Sequence, residues 1–167
     1  MHALSIVILA AGKGTRMFSS LPKVLHKLAG QPLLAHVISA AGELNPAQTV
    51  VVYGYGGNAV RDMIGSQDIL WVEQSHQLGT GHAVQQALPC LSPDGTTLIL
   101  YGDVPLIRPS TLSGLVPGAL SGKLALLTTM LDDPTGYGRI LRNPAGSVLG
   151  IVEHKDASAA QLQICEV

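Results

Sequence analysis

The chain has 167 residues, of which 47% are hydrophobic and 13% charged, and a formal net charge of −1. That length and apolar content suit one core-bearing domain, or part of one, and exclude a disordered chain, while the near-neutral total speaks against a nucleic-acid binder, which is more usually basic throughout. No apolar run approaches the roughly 20 residues of a membrane span and no cationic leader precedes an apolar core, so a soluble, cytoplasmic protein is expected.

In chain order, residues 5–9 (SIVIL) read as a buried strand, because β-branched residues fill a run too short for a stable helix. A glycine-bearing stretch follows at 9–23, LAAGKGTRMFSSLPK. Pro32 stands near the start of a helix predicted to run to about 43, with Leu33, Leu34, Val37, Ile38 and Ala41 at spacings of three and four, and Asn45-Pro46 stops it. A valine-rich strand is predicted at 49–53, then a GYGG turn and a helix over 58–64 with Asn58 as N-cap. Residues 70–73 read as a third strand, 81–88 as a helix ended by Pro89, and 97–101 as a fourth strand. Ser110 or its neighbour caps a further helix, and another strand is expected over 124–130. Beyond Asp132, segments 138–142 and 147–152 flank Asn143-Pro144-Ala145-Gly146, a pattern for a hairpin laid over the sheet. Strands alternating with helices predict an α/β fold: a Rossmann-like, mostly parallel sheet with helices on both faces. There is no internal repeat. Cys90 and Cys165 lack metal-like spacing, the six histidines form no HxxxH pair, and the cysteines read as reduced packing residues.

Charge is unevenly placed. Residues 1–42 hold Lys13, Arg16, Lys23 and Lys27 and no acid, whereas the remainder nets −5. An acid-free basic end next to small residues suits a polyanion: Ala10, Ala11, Gly12 and Gly14 let backbone N–H groups turn toward phosphate, and Arg16 and Lys23 supply full charges. The motif itself is ambiguous. GKGTRM starts like the dinucleotide fingerprint but has Met17 where the last glycine or alanine belongs, and it lacks the Walker Lys-Ser or Lys-Thr. A phosphate cradle and an ordinary flexible βα loop both fit it. Open α/β sheets bind ligands beyond the carboxyl ends of their strands, which places this loop, Gln74 and Asp103 along one rim.

LAAGKGTRM followed by LPKVLHKLAGQPLL resembles the signature of sugar-nucleotide pyrophosphorylases. QLGTGHA at 77–83, YGDVPL at 101–106, DDPTGYGRI at 132–140 and GIVEHKDA at 150–157 narrow the likeness. They are similar to the uridyltransferase half of the bacterial bifunctional enzyme that makes UDP-N-acetylglucosamine for cell-envelope precursors. The match covers residues 1–167 in order. The resemblance implies nucleotidyl transfer from UTP to N-acetylglucosamine-1-phosphate with loss of pyrophosphate, needing positioning and charge neutralisation more than a covalent nucleophile. It implies catalytic roles for Arg16 and Lys23 on the triphosphate. Leu9, Ala10, Ala11, Gly12, Gln74, Gly79, Thr80, Tyr101 and Gly102 would hold the nucleotide. Gln74 would present an amide, donor and acceptor, to the uracil edge. Gly138 and Glu153 would contact the sugar, and Asp103 would ligate Mg²⁺, an ion suited to one or two carboxylates plus substrate phosphates. His154 is left as a hairpin-end residue.

The family has a further sugar-contacting asparagine just after residue 167, a second magnesium-site asparagine later, and a left-handed β-helix that performs acetyl transfer and drives trimer formation. These are absent from the 167 residues, so the chain is expected to be the amino-terminal part of the uridyltransferase domain, binding UTP or UDP-N-acetylglucosamine with little turnover. Two alternatives stand: a pyrophosphorylase for another nucleotide or sugar-1-phosphate, and a non-catalytic nucleotide-binding module.

Overall fold

The computed structural model describes residues 3–12, 14, 17–65 and 68–167. It divides into two compact units, residues 1–125 and 126–167.

In the first unit, β1 (Leu4–Ala10) is followed by a short ribbon of β2 (Lys27–Leu28) and β3 (Gln31–Pro32), then α1 (Leu33–Gly42) and β4 (Gln48–Tyr53). The chain continues through α2 (Gly57–Ile64), β5 (Ile69–Glu73), α3 (Thr80–Ala87), β6 (Thr96–Tyr101) and α4 (Pro109–Leu120). Strand order is β5-β4-β1-β6 and every pairing in that sheet is parallel. Continuous apolar runs are what such strands need, since both faces are covered. Ile6 and Ile8 of β1, Val51 of β4 and Leu98 and Leu100 of β6 pack with Leu34, Val37 and Ala41 of α1, Val60 of α2 and Leu112 of α4. The intervening residues Val7, Val50 and Val52 point the other way, onto Ala83 and Ala87 of α3. Small alanines there let α3 approach the sheet closely, which matters for the site because the N-terminus of α3 reaches the rim.

Helix boundaries depart from expectation at several ends. Helix α1 ends at Gly42, and Asn45 takes a left-handed φ of 49° before Pro46. Gly56 at φ 69°, not Asn58, is the N-cap of α2. Pro89 does not end α3 abruptly; the chain tightens into a 3-10 turn over Leu88–Cys90. Arg108 precedes α4, with Pro109 at its first position, in place of Ser110 as cap.

The second unit contains the expected hairpin, β7 (Arg139–Arg142) against β8 (Val148–Val152), antiparallel, with an irregularity between Leu141 and Arg142. Its turn is closed by Asn143, whose Oδ1 accepts from the Ser147 N–H at 2.9 Å, and by Gly146 at φ 82°. The strand expected over 124–130 is not formed. Only Met130 bridges to Glu166, and Thr129 exchanges hydrogen bonds with Val167. Leu124 is 86% exposed, so no burial recruits this apolar run as a strand, and its backbone finds partners only where 165–167 runs alongside.

Candidate nucleotide site

The carboxyl ends of β1, β5 and β6 open onto one cavity of about 370 Å³ in the first unit. From β1 come Leu9 and Ala10, with Ala11, Gly12 and Gly14 just beyond; from the α3 side come Gly79 and Thr80; from β6 come Tyr101 and Asp103. Gln74 follows β5 directly, and Lys23 also lines the cavity. Ten of the twelve residues expected at the nucleotide, catalytic and metal positions in this unit thus line one space. Gly102 lies buried beneath it, where a Cβ would sit 3.1 Å from the Leu9 carbonyl and 3.2 Å from Leu34, so a side chain there would separate β1, β6 and α1. Arg16 lies outside the described residues.

Lys23 is held by its neighbours more than by its own turn. It opens a 3-10 turn, Lys23–Leu25, whose Val24 and Leu25 are buried in the core. Above them two glycines grip the chain. Gly14, at φ 60°, would place a Cβ only 2.6 Å from Lys23 Cβ, and Gly56, at φ 69°, would place one 2.5 Å from Pro22 Cγ. Each glycine is therefore required twice, by its backbone conformation and by the close approach of the Pro22-Lys23 turn. The result is that Lys23 Nζ reaches Asp103 Oδ2 at 2.5 Å, joining a residue after β1 to one after β6. Both side chains are about one third exposed, so the pair is worth little to stability and remains open to an incoming anion.

Asp103 is a single carboxylate. Among the described residues no group of three or more His, Cys, Asp or Glu side chains could hold a metal ion. One carboxylate at an open cavity fits a hard cation such as Mg²⁺ that takes most of its oxygens from phosphate and water, and does not fit an all-protein cage.

Gln74 is only 3% exposed and tied at every group but one. Its N–H donates to the Tyr53 carbonyl at 2.7 Å, and its own carbonyl accepts from Gln77 Nε2 at 2.9 Å. Its Nε2 donates to the Gly79 carbonyl at 3.1 Å and lies 3.0 Å from His82 Nδ1. The amide's donor half is thus consumed internally, and the expected donor-plus-acceptor contact to a base narrows to an acceptor. Gly79 makes this possible at φ 100°, a conformation that turns its carbonyl back toward Gln74. His82 and Gln77 were not singled out in the sequence; both stand in the QLGTGHA motif that was.

A MobA-like NTP transferase domain matches residues 6–158. The chain belongs to that family. This NTP transferase domain is 58% identical over 167 residues to the bifunctional protein GlmU of Chromobacterium violaceum, a match covering 100% of the chain and 36% of that protein. The chain thus spans little more than a third of the curated relatives it matches. Its fold is shared with a UDP-glucose pyrophosphorylase complexed with UDP-glucose, at TM-score 0.74 and 17% identity over 99% of this chain and 73% of the other. It is shared also with a nucleotidyl transferase from Methanothermobacter thermautotroptrophicus, at TM-score 0.64 and 20% identity over 83% and 65%.

In the second unit the two residues expected at the sugar lie side by side. A Cβ on Gly138 would sit 4.0 Å from Glu153 Oε1 and 3.1 Å from Ile151 Cγ2. Behind them Arg139 is 1% exposed, donating through Nη1 to the Tyr137 carbonyl, with Nη2 3.5 Å from His154 Nδ1. That same Nδ1 accepts the Gly136 N–H at 3.3 Å, which ties the GYG loop to the turn after Glu153. Nearby, Thr135 hydrogen bonds hold the Asp133 carboxyl below its usual range. Among the described residues no helix is long and apolar enough to cross a membrane.

Proposed function

We propose that this chain is the nucleotide-handling part of a cytoplasmic uridyltransferase that joins UTP and N-acetylglucosamine-1-phosphate to give UDP-N-acetylglucosamine and pyrophosphate. The observation that carries the reading is the Lys23–Asp103 pair at 2.5 Å on the rim of a cavity floored by small residues, with the Gln74 amide at its other wall. A triphosphate laid along Gly12 and Gly14 would meet backbone N–H groups and the Lys23 ammonium, which disperse its charge. Arg16, by resemblance, would add a second cation at the α-phosphorus. The sugar phosphate oxygen then attacks the α-phosphorus, a new P–O bond forms, the bond to the bridging oxygen of the β-phosphate breaks, and pyrophosphate leaves with that oxygen. Asp103 would hold Mg²⁺, which when bound neutralises phosphate charge. Gly138 and Glu153 are assigned to the sugar, whose hydroxyls would donate hydrogen bonds to the Glu153 carboxylate. Trimer formation belongs to the longer relatives' additional domain in this reading.

The test is calorimetric titration of the 167-residue chain with UTP, with and without Mg²⁺. Asp103→Ala is expected to weaken Mg²⁺-supported binding about tenfold to a hundredfold, the equivalent of one charge-assisted contact. Without Mg²⁺ it should bind UTP no worse, because a carboxylate beside the phosphates has been removed. Equal loss in both conditions would refute the metal assignment, and absence of UTP binding by the unaltered chain would refute the reading as a whole.

A further inference from the structure

We infer that His82 is a positioning residue for base selection: together with the Gly79 carbonyl it engages both hydrogens of the Gln74 amide, so that only Oε1 is left for a ligand in the cavity. The inference rests on the uridine reading above and deepens it. Gln74 Nε2 has two hydrogens. One goes to the Gly79 carbonyl at 3.1 Å, an atom that can only accept, so this contact sets which end of the amide is nitrogen. The same carbonyl is shared, since it also accepts the Ala83 N–H at 3.1 Å. The second hydrogen points at His82 Nδ1, 3.0 Å away. Two donors cannot face each other, so Nδ1 is the acceptor and the neutral ring carries its hydrogen on Nε2.

The other side of the ring follows from that. Gln86 Nε2 lies 3.2 Å from His82 Nε2. Gln86 Nε2 also donates to the His82 carbonyl at 3.3 Å, and a neutral ring cannot accept from both amides. The half-buried Gln86 is the one that yields, giving up that longer contact to turn its oxygen to the ring, while buried Gln74 keeps its 3.1 Å bond to Gly79. His82 sits in α3 one turn before Gln86, so the helix spacing itself aligns Gln86, His82 and Gln74 in one relay.

The consequence reaches the ligand. With both amide hydrogens committed, Gln74 Oε1 makes no hydrogen bond among the described residues, and it belongs to a side chain lining the cavity. An acceptor there suits a base that presents an imide N–H, as uracil does at N3. Cytosine presents a lone pair at the same atom, and two acceptors oppose each other. Discrimination of this kind is strong when the polar atom is buried, because the mismatched partner leaves it unpaired.

The experiment compares UTP and CTP binding to the full chain, His82→Leu and His82→Asn, with urea unfolding of each. Leucine fills the space and removes the acceptor; asparagine offers Oδ1 where Nδ1 stood. The unaltered chain should prefer UTP, His82→Leu should lose about tenfold of that preference, and His82→Asn should retain most of it. An unchanged UTP-to-CTP ratio in His82→Leu, or a loss as large in His82→Asn, overturns the role of His82 while leaving the uridine site standing. No preference in the unaltered chain overturns the uridine reading and this inference with it. Should His82→Leu lose cooperative unfolding, His82→Ala takes its place: a preference reduced about tenfold supports the acceptor role and an unchanged one overturns it.

Discussion

Gly14→Ala isolates the most demanding contact in the site. The residue has φ 60°, and its added Cβ would meet Lys23 Cβ at 2.6 Å, with Lys23 Cα and Cγ at 3.5 Å. Placing alanine in left-handed backbone costs about 1–2 kcal/mol. Carbon atoms prefer about 3.5–4.0 Å, so the contact must open by roughly 1 Å. The yielding atom is next to backbone and its turn is anchored by buried Leu25, so relief cannot come from a flexible tip. The strain is expected either to move the Lys23 turn or to twist the glycine loop, and both disturb the same cradle. A phosphate contact of Lys23 is worth about 1.5–3 kcal/mol, so UTP should bind about tenfold to a hundredfold more weakly. Stability should fall by about 1–2 kcal/mol from the backbone term. Urea unfolding reads the second quantity and calorimetry the first. If stability falls as stated while UTP affinity stays within a factor of about two, Gly14 is not the brace that aims Lys23 and the reasoning fails.

Other outcomes follow from the same coordinates. Gly114 lies inside α4 with nothing within 4 Å of an added Cβ, so Gly114→Ala should stabilise the chain by about 0.5–1 kcal/mol in urea unfolding; a loss would mean that α4 packs where the structure leaves space. Glu166 should make the second unit acid-sensitive. Its carboxyl accepts two guanidinium hydrogen bonds from Arg142, at 2.6 and 2.8 Å, and one from Thr128 at 2.7 Å, which hold it at about 2 against 4.5. The folded state therefore binds this proton later than the unfolded chain. The stabilisation is complete above about pH 4.5 and fades as pH falls toward 2. Glu166→Gln should flatten the dependence of the urea midpoint on pH across that window, and an unaltered slope would discount the Arg142 pairing.

Much of the site's address was legible without coordinates. Residues 5–9, 49–53 and 97–101 are dense apolar runs, and a parallel sheet covered on both faces is where such runs belong. Once the strands were placed, the rule that ligands bind beyond their carboxyl ends put Gly12, Gln74 and Asp103 on one rim, as found. Proline geometry at Pro89 and Pro109 shifted two helix ends locally, and two other misplacements were non-local. Residues 124–130 have strand composition, but composition does not supply a pairing partner, and the partner found was a short stretch 35 or more residues further along. The cap of α2 went to Gly56 and not Asn58 because Gly56 must also make room for Pro22.

From the sequence alone came the four strands of the parallel sheet, the helices between them, the sheet class and the rim, because each depends on the pattern of side chains along a few consecutive residues. Tertiary structure decided the rest: that Lys23 meets Asp103 across 80 positions, that Gly14 and Gly56 press one turn from two sides, and that Gln74 keeps its hydrogens for Gly79 and His82. Hydrogen-bond direction is a property of opposed atoms, and no spacing rule along a chain states which atoms will be opposed.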